Sequence, residues 1–332
     1  MTATPLLAVH DLAVDFHTRD GVVRAVDGVS FQVNPGETVA ILGESGSGKS
    51  VTAQAVMGIL DSPPARISRG QIFLEGRALS GLPEKQLRAV RGVEIGMIFQ
   101  DALSALNPVL SVGEQIAEMY RGHLNMGREQ ARNAAIEVMQ RVQIPGARQR
   151  YSDYPHQFSG GMRQRIMIAM MIALQPKLLI ADEPTTALDV TVQAQILALL
   201  AQIQTETNMG LLLITHDLGV VAEMAQRMLV MYAGEVVEQG SARAVLDQPA
   251  HPYTAALLRA VPSMTERVDR LPSIPGRPPN PLEPIPGCSF HPRCEVAQRC
   301  CSQHPGPDLD LVKSDRQARC WFAQEVLSGG ES

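Results

Sequence analysis

The segment from Gly43 to Ser50 carries residues suited to binding phosphate. It fits the pattern G-x-x-x-x-G-K-[ST] at each fixed position. Glycines let such a loop turn its backbone N–H groups toward phosphate oxygens, Lys49 can reach the β and γ phosphates, and the Ser50 hydroxyl can ligate Mg²⁺. The pattern predicts a site for a nucleoside triphosphate, with contacts from Gly43, Glu44, Ser45, Gly46, Ser47, Gly48, Lys49, Ser50 and Val51.

A pair of carboxylates follows the apolar run from Leu178 to Ala181. Asp182, at the end of this predicted strand, suits an indirect contact to Mg²⁺. Glu183 projects differently and could polarise a water that attacks the γ phosphate. Taken alone, the pair fits equally well a surface acidic pair that closes a strand.

The elements around these residues predict an α/β fold. The loop follows the apolar run Thr38 to Leu42 and precedes a helical stretch, which is the strand, loop and helix context that the pattern requires. Up to about Gly240, β-branched runs alternate with amphipathic stretches, as in a sheet flanked by helices. Strands are predicted at 39–42, 96–99, 178–181 and 211–214, a hairpin at 228–232 and 235–238, and helices at 50–60, 128–142, 162–174 and 192–205.

Composition limits the classes of function. The 332 residues are 45% hydrophobic, enough for a large core, and the net charge of −5 disfavours nucleic acid as a partner. The longest apolar run, from Ile166 to Leu174, is too short to span a bilayer, and no positively charged start of a secretory signal is present. Eleven prolines between Val261 and Asp310 predict a separate, loop-rich extension that begins near residues 240 to 260.

Further motifs occur in a fixed order along the chain. They are Gln100 after its strand, Phe158-Ser159-Gly160-Gly161-Met162, Ala187-Leu188-Asp189 and Thr215-His216-Asp217. Together with the phosphate loop and the carboxylate pair, this set resembles the ATP-binding cassette family over roughly residues 6 to 240. The resemblance implies a RecA-like ATPase domain at residues 1–255 with a helical subdomain at about 101–175, followed by a small proline- and cysteine-rich extension at 256–332.

The resemblance also implies roles for single residues. Glu183 is the catalytic base, Gln100 senses Mg²⁺ and the attacking water, and His216 contacts the γ phosphate. Ser159, Gly160 and Gly161 present helix N-terminal amides to the nucleotide of the opposite subunit, and Asp189 orders the dimer interface. Met162 replaces the usual glutamine of this signature. Phe16 lies about where the family stacks an aromatic ring on adenine, and a plain core phenylalanine is nearly as good an interpretation.

Longer stretches are similar to the dipeptide and oligopeptide importer ATPases. They are residues 43–51, 99–108, 181–191 and His251-Pro252-Tyr253-Thr254. The resemblance implies a heterodimer with a second ATPase subunit, two membrane permeases that dock near residues 100–108, and an external binding protein. It places the chain peripherally on the cytoplasmic face of the inner membrane. Related ATPases serve nickel, metallophore or glutathione importers, which are the alternative cargoes.

The five cysteines all lie between Cys288 and Cys320, which favours a reducing compartment over a disulfide framework. Thiolates gathered in this way can bind Zn²⁺ or an iron–sulfur cluster, or can simply be buried thiols. The importer resemblance implies a [4Fe–4S] cluster on Cys288, Cys294, Cys301 and Cys320. Cys300 is the extra thiol, and an exchange between Cys300 and Cys301 stays open.

A second class of function is a cassette ATPase of DNA repair or translation. Such proteins usually carry two cassettes in one chain or a long coiled coil. This sequence has one set of motifs and no heptad run, so the transport class is favoured.

Overall fold

The computed structural model describes residues 4–101, 105–186, 188–260, 274–303, 305–313 and 315–328. The strands are β1 (Leu7–Thr18), β2 (Gly21–Val33), β3 (Thr38–Leu42), β4 (Ala65–Leu74), β5 (Arg77–Ala78), β6 (Ile95–Ile98), β7 (Leu178–Asp182), β8 (Gly210–Thr215), β9 (Arg227–Tyr232), β10 (Glu235–Ser241), β11 (Asp310–Lys313) and β12 (Arg316–Ala318).

The helices alternate with these strands. They are α1 (Lys49–Met57), α2 (Glu84–Val90), α3 (Val112–Leu124), α4 (Arg128–Arg141), α5 (Ala147–Arg150), α6 (Gly160–Ile172), α7 (Val190–Thr207), α8 (Leu218–Met224), α9 (Ala242–Asp247), α10 (Pro252–Ala260) and α11 (Ala323–Ser328). Short 3-10 helices lie at Pro155–Gln157, His291–Arg293 and Arg299–Ser302. Among the described residues, no helix is both long enough and apolar enough to cross a membrane.

The chain divides into two compact units. One, here called the P-loop unit, comprises residues 8–32, 38–73 and 215–332. The other, here called the helical unit, comprises residues 1–7, 33–37 and 74–214. The cysteine-bearing extension therefore belongs to the same unit as the phosphate loop. Helix α10 runs across the predicted boundary at residue 255, and the division into 1–255 and 256–332 stays a prediction.

In the P-loop unit, β3 pairs in parallel with β9, with Val39 opposite Arg227. β9 and β10 form an antiparallel hairpin, and its turn, Ala233-Gly234, has φ angles of 48° and 83°. The extension adds two strands, since β12 pairs antiparallel with β10 and β11 pairs antiparallel with β12. The extension thus continues this sheet with two strands from residues 310–318. A second sheet has the strand order β2, β1, β4.

In the helical unit, β6, β7 and β8 form parallel pairs, with Ile95 opposite Leu178 and Leu178 opposite Gly210. All residues of these three strands are buried, as expected for parallel strands covered on both faces. Helices α3, α4 and α6 pack against one another, and α6 also packs against β6. The carboxylate pair therefore lies where a fully buried strand ends, with Asp182 as the last residue of β7 and Glu183 directly after it.

The predicted α/β class is confirmed, as are the predicted core strands, the hairpin and the four helices. The helix expected at 50–60 ends at Met57 because Gly58 adopts a left-handed conformation, with φ 64°, and caps it. The sequence patterns do not predict the strands β1, β2, β4 and β5 or the helices α2, α3, α5, α8, α9 and α10. The short elements of the extension are not predicted either.

Candidate functional site

The phosphate loop lies between buried strand β3 and helix α1. Helix α1 begins at Lys49, and its N-cap residue, Gly48, offers no side-chain hydrogen bond to the first turn. The N–H groups of a first helical turn lack partners within the helix, so they suit an anion. The Ser47 hydroxyl is buried and has no hydrogen-bond partner among the described residues. Both observations fit a bound phosphate.

Glycine is required at two points of this loop. At Gly43, with φ 159°, a Cβ would lie 2.3 Å from the Met231 carbonyl oxygen. At Gly48, with φ 101°, a Cβ would lie 2.5 Å from the Ala25 carbonyl oxygen. Both contacts are too close for any side chain, so the backbone of the loop packs directly against neighbouring backbone.

Lys49 is buried at the start of α1. Its Nζ donates to the Gly43 carbonyl at 2.8 Å and to the Glu44 carbonyl at 2.9 Å. The ammonium group is therefore drawn back over the loop. Ser50 and Val51 continue α1 in its first turn.

The carboxylate of Glu183 lies beyond the end of β7. Gln100 Nε2 donates to Glu183 Oε2 at 3.0 Å, and Thr186 Oγ1 donates to the same oxygen at 2.8 Å. Glu183 has φ 47°, a left-handed conformation that is unusual for a side-chain-bearing residue, and its N–H donates to the Ile214 carbonyl at 2.9 Å. Asp182 precedes it and is 6% exposed. The structure brings Gln100 and Glu183 together and adds Thr186, which the sequence analysis missed.

The remaining predicted site residues of the helical unit lie at the N-termini of helices α6 and α7. Ser159 is the N-cap of α6 and accepts from the Met162 N–H at 3.4 Å, while Asp189 is the N-cap of α7 and accepts from the Val192 N–H at 2.9 Å. Gly161 is packed so closely that a Cβ would lie 2.5 Å from a Val192 methyl carbon. Gly160 is exposed beside it. Ala187 and residues 102–104 of the predicted permease-docking segment lie outside the described residues.

His216 and Phe16 belong to the P-loop unit. His216 is exposed and directly follows β8, just before α8, whose N-cap Asp217 accepts from the Gly219 N–H at 2.8 Å. Phe16 lies on β1 and is half-buried, whereas Val14 on the same strand is fully buried. The ring of Phe16 is thus partly available to a ligand.

Four cysteines of the extension line one pocket in the P-loop unit. They are Cys288, Cys294, Cys301 and Cys320, and His251, Phe290 and Trp321 also line it. Cys300, the neighbour of Cys301, does not line this pocket. Burial raises the pKa of Cys288 to about 11 and that of Cys320 to about 12, and it also raises the pKa of Cys294. These thiols keep their protons at neutral pH unless a metal displaces them.

The thiols that line this pocket do not form a recognisable metal-ion site among the described residues. In the described part of the chain, no group of three or more histidine, cysteine or acidic side chains is arranged to hold a metal ion. Tetrahedral zinc with sulfur at about 2.3 Å needs neighbouring sulfurs about 3.8 Å apart. The arrangement therefore gives no support to a zinc site, and the iron–sulfur cluster stays a prediction.

A glycine-rich loop between a buried strand and a helix, in an α/β fold, defines the class as a P-loop nucleotide-binding protein. The "ABC transporter" family profile matches residues 26–186, and the "Oligopeptide/dipeptide transporter, C-terminal region" profile matches residues 237–301. The chain belongs to the ATP-binding cassette family, in the branch of the oligopeptide and dipeptide transporter ATP-binding subunits.

Relatives match over almost the whole chain. The dipeptide transport ATP-binding protein DppD of Bacillus subtilis (strain 168) is 47% identical over 331 residues, which cover 98% of each chain. The oligopeptide transport ATP-binding protein OppD of the same organism is 50% identical, covering 96% of this chain and 89% of its own. A peptide import ATP-binding protein of Brucella abortus (strain 2308) is 49% identical, covering 96% of each.

Solved structures confirm the cassette fold. The ATP-binding cassette MJ0796, in a dimeric post-hydrolysis state bound to ADP and phosphate, matches with a TM-score of 0.64 and 27% identity, over 71% of this chain and 99% of its own. CbiO1 of Clostridium perfringens, part of the CbiONQ transporter complex, matches with a TM-score of 0.61 and 29% identity, over 74% of this chain and 91% of its own.

Proposed function

We propose that this chain hydrolyses ATP to energise the import of dipeptides or oligopeptides through a membrane transporter. One observation carries the proposal: the similarity to relatives named for dipeptide and oligopeptide transport extends through the C-terminal region as well as the ATPase core. ATP and Mg²⁺ are the expected ligands of an ABC ATPase. Two features of the loop are compatible with a bound nucleotide phosphate: the buried Ser47 hydroxyl, which lacks a hydrogen-bond partner among the described residues, and the glycines Gly43 and Gly48.

In the proposed mechanism, the chain positions groups and neutralises charge around the γ phosphate. The loop amides and Lys49 bind the phosphates, and Ser50, Gln100 and Asp182 would hold Mg²⁺, which when bound neutralises charge on the phosphate oxygens. Glu183 accepts a proton as water bonds to the γ phosphorus and the bond to the β–γ bridging oxygen breaks. Gln100 and Thr186, which both donate to Glu183 Oε2, fix the orientation of this base.

The chain is proposed to work in a heterodimer. Helix α6 begins at Gly160, capped by Ser159, so that the amides of Ser159, Gly160 and Gly161 would contact the nucleotide of the partner ATPase. Asp189, at the start of α7, would order the interface. His216 would contact the γ phosphate, and Phe16 would stack on adenine. Two permeases would dock near residues 100–108 and hold the chain on the cytoplasmic face of the membrane, with an external binding protein supplying cargo.

We further propose a [4Fe–4S] cluster bound by Cys288, Cys294, Cys301 and Cys320. The four thiols face one pocket whereas Cys300 does not, which supports the choice of Cys301 over its neighbour. The role proposed for the cluster is structural. A proline-rich segment with few apolar residues gains stability when a bound group fixes its loops.

The test of the proposed cargo is transport by the complete assembly. The chain is co-expressed with candidate permease subunits and a candidate partner ATPase from the same organism, purified through a tag on this chain, and reconstituted with a candidate external binding protein. Co-purification of integral membrane subunits and ATP-dependent uptake of a labelled dipeptide or oligopeptide are the expected results. Uptake of nickel, a metallophore or glutathione without peptide uptake would show that one of these alternatives, and not a peptide, is the cargo. A chain that recovers no membrane subunits would contradict the transport role.

A further inference from the structure

The phosphate loop is tied to the cysteine-bearing extension by an ion pair. Arg293, next to Cys294, donates from one terminal nitrogen to Glu44 Oε2 at 2.7 Å and from the other to Glu44 Oε1 at 3.1 Å. The guanidinium side chain is 5% exposed and the carboxylate side chain 26% exposed. Two parallel hydrogen bonds make this a fork-to-fork pair, the strongest and most directional geometry for these groups.

Glu44 is held at three points, and each point has a different partner. Its carboxylate receives Arg293, and its carbonyl receives Lys49 Nζ at 2.9 Å. Its backbone N–H donates to the Tyr253 hydroxyl at 2.9 Å. Two of these three partners lie outside the loop, so Glu44 is held by residues more than two hundred positions later in the sequence, with Tyr253 on its backbone and Arg293 on its side chain.

Arg293 is itself fixed by its surroundings. Its Nε donates to the Pro275 carbonyl at 2.9 Å, and its guanidinium carbon lies 5.8 Å from the centroid of the Tyr232 ring. The rings of Tyr232, Tyr253 and Phe290 pack together, with centroids 4.6 to 5.3 Å apart. The pairing with Glu44 raises the pKa of Arg293, so its positive charge is permanent.

The charge of Glu44 has a consequence for an anionic ligand. A carboxylate inside the loop that binds a triphosphate repels it, and low local dielectric strengthens the repulsion. Arg293 compensates the negative charge of this carboxylate and fixes its orientation through two hydrogen bonds. We propose that Arg293 is a positioning residue of the nucleotide site: it cancels the Glu44 charge and, with Tyr253, holds the loop in its binding conformation. This inference deepens the proposed ATPase function and rests on it.

The experiment measures the affinity of the purified full-length chain for a non-hydrolysable ATP analogue with Mg²⁺. Arg293→Met should weaken binding about tenfold, because a unit charge near the phosphates becomes uncompensated. Glu44→Gln, which breaks the same ion pair, should instead tighten binding, because the unpaired guanidinium adds positive charge. The double variant should return to within about threefold of the wild-type affinity. Arg293→Lys should lose about two- to threefold, since it keeps the charge and loses the fork.

The matched control is Arg259→Met. Arg259 pairs with Glu295 in the same part of the chain at 3.0 Å, with side chains 57% and 65% exposed, and its loss should leave the affinity unchanged. Equal weakening by Arg293→Met and Glu44→Gln would overturn the claim that Arg293 cancels the Glu44 charge, because loss of the bridge alone would then account for both variants. Unchanged affinity in Arg293→Met would overturn the proposal outright. If the wild-type chain fails to bind the analogue, the ATPase function itself fails, which is a separate outcome.

If Arg293→Met does not fold, Glu44→Gln and Arg293→Lys still decide the question. Glu44→Gln keeps the size of a partly exposed side chain, Arg293→Lys keeps the positive charge of a buried one, and the proposal requires the two affinities to change in opposite directions. A second readout separates positioning from catalysis. In the assembled transporter, Arg293→Lys should raise KM for ATP while kcat stays within about twofold.

Discussion

Gln100 and Glu183 are 83 positions apart in the sequence, and the side-chain amide of the first donates to the carboxylate of the second at 3.0 Å. The contact joins the end of β6 to the end of β7, which are neighbouring parallel strands. Since parallel strands present their carboxyl ends at one edge of a sheet, two side chains that follow such strands meet there. This contact is the one by which the proposed mechanism orients Glu183 as the base.

Glu183→Gln should keep ATP binding and lower hydrolysis about 10²- to 10⁴-fold, because a positioned general base contributes about that factor. The amide can still accept from Gln100 and Thr186, so the local structure is retained. Steady-state phosphate release and analogue affinity check the two halves of the prediction. Glu206→Gln, an exposed glutamate on α7, is the control. Turnover equal to wild type in Glu183→Gln would remove this residue from its role.

Thr186→Val should lower kcat about three- to tenfold and leave KM for ATP unchanged. The hydroxyl donates to the Glu183 carboxylate at 2.8 Å, and a hydrogen bond to a charged group contributes about 1.5–3 kcal/mol, part of which Gln100 retains. Thr205→Val is the control, since its exposed hydroxyl only donates to the Ala201 carbonyl of its own helix. Equal kcat in Thr186→Val and wild type would show that Gln100 alone orients the base.

Lys49→Ala should weaken nucleotide binding about 10- to 100-fold, the value of one charge-assisted hydrogen bond. Lys49 is buried over the loop and donates to two of its carbonyls, so it is in place to transfer these bonds to phosphate. Lys177→Ala is the matched control, because Lys177 is half-exposed and pairs with Glu75. Equilibrium titration with the ATP analogue is the measurement. Normal affinity in Lys49→Ala would contradict the loop assignment.

The cluster prediction is tested by metal content. After anaerobic purification, the wild-type chain should carry about four irons and four acid-labile sulfides. Cys294→Ser should lose both, because this thiol lines the pocket, whereas Cys300→Ser should keep both. The visible charge-transfer absorbance follows the same pattern. Zinc in place of iron, a stable metal-free chain, or loss of iron in Cys300→Ser with retention in Cys301→Ser would each overturn the ligand set.

The parts of the site that are formed by residues close together in the sequence could be predicted from it. The phosphate loop, the carboxylate pair and the caps Ser159 and Asp189 are defined by neighbours in the chain, and each lies on the predicted element. Thr186 could have been found, since a hydroxyl three positions after Glu183 in a turn can reach back to it. Strand β1 was not predicted, because its buried and exposed residues do not alternate regularly and Asp11, with φ 49°, interrupts the strand.

The contacts between residues that are far apart in the sequence could not be predicted from it. Arg293 and Glu44 are separated by 249 positions, and no local pattern marks either as a partner of the other. Tyr253 lay within the recognised stretch His251 to Thr254, yet its contact with the Glu44 N–H depends on how α10 packs in the P-loop unit. Both contacts of Glu44, with Arg293 and with Tyr253, form only when the folded chain brings these distant residues together, so they cannot be predicted from local sequence patterns. Which of Cys300 and Cys301 faces the pocket is likewise set by the turn of a 3-10 helix.

Strand β12 also protects the protein from association with itself. It covers β10, pairing Glu238 with Ala318, and is in turn covered by β11, a four-residue strand that carries Asp310 and Lys313. A short charged strand is a poor template for further pairing, whereas an uncovered seven-residue strand recruits strands of other molecules. Truncation before Arg316 would leave the edge of β10 unpaired. The strands β11 and β12 therefore also protect this sheet against aggregation through its edge.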